Sequence, residues 1–188
     1  MPVASMNRFF ALLAILAVGG SVVTLATLIP LGPRARRLRP DIAQVAPWLA
    51  FATAATATAG SLYYSEFADF TPCKLCWFQR ICMYPLVVVL AVALRRGDRA
   101  VAAYAVPLCA LGATVSGYHY QLQRFPDQAS AVCTLDAPCS ASEVWVFGFI
   151  SIPLMALSGF IAIAILLLAA RPANTPVPHA KPQEIVSP

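Results

Sequence analysis

The sequence predicts an all-α membrane protein, a bundle of five transmembrane helices, and three observations carry that prediction. Only 11% of the residues are charged while 60% are hydrophobic, and the mean hydropathy is +0.73. A water-soluble domain carries about 25% charged residues, so this chain cannot clothe a water-facing surface. Charge-free runs recur along it at the length of a bilayer crossing, about 20 residues. The basic residues, finally, concentrate in alternate connections between those runs.

The first run, 9–31, is followed at once by Arg34, Arg36, Arg37 and Arg39. A cleaved signal peptide carries its positive charge in front of the apolar stretch. Here the charge lies behind it, so an uncleaved span is expected; cleavage would invert the spans that follow. The second run is 42–65, and its small-residue portion, 52–61, is expected to form a close helix-packing face. The third, 81–94, is short at about 14 residues for a crossing. Trp77 and Phe78 can extend it outward, which makes Arg80 an interfacial residue. Runs 100–123 and 144–170 complete the set. Pro85, Pro107 and Pro153 interrupt spans, which packed neighbouring helices tolerate. The tail 172–188, with Pro172, Pro176, Pro178, Pro182 and Pro188, reads as a disordered cytoplasmic end.

The net charge of +5 invites a nucleic-acid reading, but its distribution gives another. Arg34, Arg36, Arg37, Arg39, Arg95, Arg96, Arg99, Arg171 and Lys181 fall on one side of the predicted topology. Arg8, Lys74, Arg80 and Arg124 fall on the other. This is the positive-inside pattern: N-terminus out, C-terminus in, loops 66–80 and 124–143 outside. The basic residues report orientation, and no nucleic-acid partner is expected.

Of six cysteines, Cys82 and Cys109 fall inside spans, where cysteine acts as a small buried hydrophobe. Cys73 and Cys76 lie in the first outer loop, Cys133 and Cys139 in the second. Four cysteines on an oxidising face suggest two disulfides, either structural staples or redox-active bonds. The Cys-x-x-Cys spacing favours the redox reading, because its small ring opens readily to a thiolate and the motif tunes thiol pKa. A four-sulfur zinc site is disfavoured on an oxidising face, and no metal is expected. In "TPCKLCWFQR", 71–80, Cys76 stands at the N-terminal end of the third span, where the helix dipole favours an anion. Arg80 follows one turn later on the same face. Both favour a thiolate at Cys76, although Arg80 alone could be a snorkelling anchor.

These residues carry a resemblance. "SLYYSEFADFTPCKLCWFQRICMYP", 61–85, resembles the signature of the disulfide-bond-formation protein B family (DsbB and its short BdbC relatives), with Pro-Cys-x-x-Cys and a Gln-Arg pair at the start of a membrane helix. "GYHYQLQ", 117–123, and "CTLDAPCSASEVWVFGFISIPLMAL", 133–157, continue the match in order. The resemblance spans about 45–170. It implies a DsbB-type four-helix bundle at 41–171, preceded by an extra transmembrane helix and basic cytoplasmic loop at 1–40 and followed by the tail at 172–188.

The resemblance further implies a thiol oxidase of the bacterial cytoplasmic membrane. Such a protein reoxidises a DsbA-like thioredoxin-fold thiol oxidase and passes the electrons to a membrane quinone, ubiquinone or menaquinone, a stronger acceptor than the glutathione pool. By the family pattern Cys133–Cys139 would accept electrons from the soluble partner and the reduced pair would attack Cys73–Cys76. Cys76 would face the quinone, Arg80 would stabilise its thiolate and polarise a quinone oxygen, His119 would lie near the quinone and Gln79 would orient the site. The vitamin K epoxide reductase arrangement is disfavoured, because there the loop cysteines precede the Cys-x-x-Cys. A non-enzymatic membrane scaffold with two structural disulfides is the alternative.

Overall fold

A computed structural model describes residues 3–28, 33–98, 100–128, 139–140, 142 and 144–170. Five helices account for most of them: α1 (Val3–Leu28), α2 (Pro33–Glu66), α3 (Lys74–Arg96), α4 (Ala102–Arg124) and α5 (Ile152–Ala169). A single 3₁₀ turn, Pro126–Gln128, follows α4. Segments of α1, α2, α3 and α5 are long and apolar enough to cross a membrane. α4 matches α3 in length, at 23 residues, but Tyr118, His119, Tyr120, Gln121 and Gln123 make its last two turns polar. It packs on α3 and α5, and its C-terminal turns meet the N-terminal end of α3, where Cys73 approaches His119.

Consecutive helices run antiparallel. The starts of α1, α3 and α5 and the ends of α2 and α4 gather at one end of the bundle, with Phe10 against Tyr63 and Tyr64 and the Tyr120 hydroxyl donating to the Phe149 carbonyl at 3.0 Å. Arg95 and Arg96 close α3 at the other end. Two expectations about boundaries are corrected. The arginines placed in a loop before residue 41 belong to α2, which begins at Pro33 and carries Pro40 and Pro47 internally. The last charge-free run is helical only from Ile152. Residues 144–151 form a tight turn closed by a Val146–Ile150 bridge, in which Phe147 and Gly148 take positive φ (54° and 77°). Pro153 therefore does not interrupt a span. It sits in the first turn of α5, where its missing N–H costs nothing.

The core lies between α2, α3, α4 and α5. Leu86 and Leu90 meet Phe160, Ile163 and Leu167 there, with Cys82 and Cys109 among them as free, buried thiols. Apolar burial gains little in lipid, so close packing has to hold the helices together. Small residues permit it. Ala46, Ala50 and Ala54 are fully buried at four-residue spacing along α2, overlapping the expected 52–61 face. Farther along α2, a Cβ at Gly60 would sit 2.9 Å from the Phe10 ring of α1.

Candidate redox site

α3 begins immediately after Cys73, so Cys73 is its N-cap, with extended φ −71° and ψ 171°. The first-turn N–H groups of a helix lack intrahelical acceptors. Here the Cys76 N–H finds the Cys73 sulfur at 3.4 Å, and the Trp77 N–H finds the Cys73 carbonyl at 3.1 Å. The same turn brings the two side chains together: the Cys73 and Cys76 sulfurs lie within hydrogen-bond distance at 3.2 Å, and both residues are free thiols.

α4 supplies the third member. His119, only 2% exposed, lies with Nε2 3.6 Å from Cys73 Sγ, and its Nδ1 is 2.8 Å from Gln79 Nε2. An amide nitrogen can only donate. With the amide nitrogen turned to Nδ1, Nδ1 accepts and Nε2 is left to donate toward the Cys73 sulfur. Cys73 consequently ionises well below the usual thiol range. The side-chain hydrogen bond with Cys76 is the largest cause; burial opposes it, and the contacts with His119 and with the Cys76 N–H add to the lowering. The sequence reading put the anion-favouring helix end at Cys76. The structure begins the helix two residues earlier, so the sulfur facing that end is Cys73.

Arg80 is held differently from expectation. Its Nε donates to Ser61 Oγ and its Nη2 to the Ser61 carbonyl, each at 3.0 Å; the Tyr84 hydroxyl also reaches Ser61 Oγ, at 3.2 Å. The guanidinium lies over the Trp77 ring, 5.2 Å from its centroid. A charged group in a span is costly unless partnered, and α2 supplies the partner. Arg80 and Cys76 both line one cavity of ≈ 380 Å³ walled by residues of all five helices. Its walls combine apolar Phe10, Met83 and Phe160 with polar groups at the Cys73 end. Tyr64 also lines it, and the Tyr64 hydroxyl is buried without a hydrogen-bond partner among the described residues.

Of the second cysteine pair, Cys139 is disulfide-bonded and 1% exposed. It packs in one small cluster with Cys73, Leu75 and Leu122. Cys133 lies outside the described residues. The structure therefore gathers Cys73, Cys76, Arg80, His119 and Cys139 at one end of the bundle. Sequence reasoning missed Ser61 and Tyr64. Both stand within the 61–85 motif, but nothing in their spacing announces an arginine anchor or an unpartnered hydroxyl.

The family described as "Disulfide bond formation protein DsbB" matches residues 43–170. The chain is 46% identical over 111 residues to "Probable disulfide formation protein C" of Bacillus cereus, covering 58% of this chain and 79% of that protein. It is 43% identical over 121 residues to "Disulfide bond formation protein C" of Bacillus subtilis, covering 64% of this chain and 88% of the relative. No solved structure matches it.

Proposed function

The chain belongs to the DsbB family of disulfide bond formation proteins, and as a multi-pass membrane protein of that family we propose that it takes electrons from a DsbA-like thioredoxin-fold thiol oxidase and passes them to a membrane quinone. The array Gln79–His119–Cys73–Cys76 carries this reading. A structural staple gains nothing from a buried histidine held by Gln79 against its sulfur, whereas a thiol exchange site needs a stabilised thiolate.

The relay uses this chain's own sulfurs. A partner thiolate attacks the Cys133–Cys139 bond, and by the family pattern Cys133 is the sulfur assigned to the mixed disulfide. The partner's second thiol then leaves with a partner disulfide, and Cys133 and Cys139 hold two electrons as a dithiol. Cys139, packed with Cys73, attacks Cys73 of a Cys73–Cys76 disulfide and expels Cys76 as thiolate. Cys133 displaces Cys73 from Cys139, which restores the second pair and leaves Cys73 and Cys76 reduced. His119 and the helix end hold the charge on Cys73, while Arg80 offers a fixed positive charge to the cavity beside Cys76.

The cavity fits a quinone ring in kind: apolar walls, a cation and a Tyr64 hydroxyl without a partner among the described residues are what a flat ring with two carbonyl acceptors requires. A bound quinone supplies the acceptor for two electrons and two protons. We assign the site end of the bundle to the oxidising, outer face, since a cytosolic dithiol would be kept reduced. The purified full chain in lipid, given quinone and a reduced thioredoxin-fold partner, should form one partner disulfide per quinone reduced. Partner oxidation at the normal rate by the Cys133→Ala/Cys139→Ala chain would overturn the relay and leave the second pair a staple.

A further inference from the structure

Three soft donors converge in the reduced site. Cys73 Sγ, Cys76 Sγ and His119 Nε2 all lie within 4.8 Å of one another. A zinc ion with Zn–S of about 2.3 Å and Zn–N of about 2.0 Å, at tetrahedral angles, needs sulfur and nitrogen about 3.5 Å apart and two sulfurs about 3.8 Å apart. The Cys73 sulfur is 3.6 Å from His119 Nε2, and the sulfurs are 3.2 Å apart. One edge of the tetrahedron is already formed, and a small side-chain rotation opens the other.

The surroundings match as well. A metal-bound histidine usually donates its second ring N–H to a carbonyl or carboxylate. Gln79 sits 2.8 Å from Nδ1, and half a turn of its amide presents Oε1 where Nε2 now stands, which accepts that N–H and frees Nε2 for a metal. Cys73, Cys76 and His119 all line the ≈ 380 Å³ cavity, so a fourth position is open to water. Sequence reasoning set zinc aside because it considered four sulfurs on an oxidising face. The structure replaces two of them with one histidine.

We propose that the reduced Cys73–Cys76 pair and His119 form a redox-gated binding site for a soft divalent cation of the zinc type, present only while the pair is a dithiol. The sulfurs bind as thiolates, so any proton the pair still carries passes to solvent, and no electron moves. Forming the Cys73–Cys76 disulfide removes two of the three ligands and abolishes the site. Such capture makes the reduced enzyme a target of soft metals and holds it out of turnover. The binding claim is independent of the quinone reading and can fail separately from it.

The test uses full-length protein in lipid with Cys133→Ala and Cys139→Ala, reduced with a phosphine and freed of reductant. Zn²⁺ alone is titrated against a chelating dye, and Cd²⁺ alone by its thiolate charge-transfer absorbance. The expected result is one ion per chain, lost when the pair is oxidised. Affinity should fall tenfold or more in both His119→Ala and His119→Gln, with helical circular dichroism retained. Adding Cys82→Ala and Cys109→Ala, which remove the core thiols, should change nothing. No ion bound by protein whose thiols titrate as free overturns the proposal. So does binding that survives Cys73→Ser, or binding indifferent to both His119 variants.

Discussion

The two ends of α3 solve the same physical problem with different chemistry. A helix leaves N–H groups bare at its start and carbonyls at its finish. At the finish, Gly97 takes the left-handed conformation (φ 64°) and its N–H returns to Ala93 and Leu94. Asp98 there accepts the Ala100 N–H at 2.8 Å and the Tyr104 hydroxyl at 2.6 Å. At the start, the cap is the sulfur of Cys73. A cavity exists at each end, ≈ 530 Å³ beside Gly97 and ≈ 380 Å³ beside Cys73, so volume does not distinguish a site from a gap. The difference is that one end caps its helix with a thiol, sets His119 and Gln79 against it, and shares its cavity with Arg80. A sulfur is a weaker acceptor than a hydroxyl or carboxylate, so that end gives up some capping strength in exchange for reactivity.

The comparison predicts that changes at the Cys73 end remove chemistry and spare the fold, while changes at the Gly97 end do the reverse. The largest effect is expected from Cys73→Ala. Quinone reduction driven by a partner dithiol should fall below detection, while stability drops by no more than about 1 kcal/mol, the worth of a cap. Stopped-flow quinone absorbance and thermal unfolding read the two separately; residual turnover above a few per cent contradicts the assigned path.

Next comes Arg80→Ala, which should slow quinone reduction by about 100-fold, the order of a lost electrostatic stabiliser. Arg80→Lys should fall between, because lysine keeps the charge and loses the fork that grips both Ser61 oxygens. An unchanged rate in the alanine variant makes Arg80 an anchor against Ser61 and Trp77 and nothing more.

The third effect concerns ionisation. Cys73 has a depressed pKa, so its thiolate is present above that lowered value and lost as pH falls through it. In a Cys82→Ala/Cys109→Ala background, alkylation of reduced Cys73 by a small reagent should therefore persist into mildly acidic solution. His119→Ala should move the half-rate pH upward by about one unit or more. Gln79→Leu should move it in the same direction by less, since the ring remains but its tautomer is released. A profile identical in all three proteins removes His119 from the ionisation of Cys73.

How much of this was legible beforehand follows from the range of each interaction. Charge-free runs located all five helices, because crossing length and composition are local properties. Helix ends were less legible. Pro33 and Pro40 obscured the start of α2, and apolar Val144–Trp145–Val146 hid a turn whose signal was Gly148. At the site, Cys73, Cys76, Arg80 and His119 were readable from motif and depth. The Ser61 grip on Arg80 spans 19 residues and the Gln79–His119 bond 40, so only packing of α2 and α4 against α3 reveals them. The shift of the helix-end sulfur from Cys76 to Cys73 depended on a two-residue boundary, the least certain thing a sequence offers.

The smallest effect tests the inert end. Gly97 is left-handed, and an added Cβ meets nothing within 4 Å, so substitution is opposed by backbone conformation and not by crowding. Gly97→Ala should then destabilise by about 1 kcal/mol, the cost of a left-handed non-glycine residue. Asp98 N–H reaches Ala93 carbonyl at 2.9 Å across the same turn, so the cap itself should survive and the loss should not spread. Partner-driven quinone reduction should stay within twofold of the parent, because no residue beside Gly97 touches the Cys73 array. A tenfold loss of rate with little loss of stability would mean that the two ends are coupled through α3, and the separation of fold from chemistry along that helix would have to be abandoned.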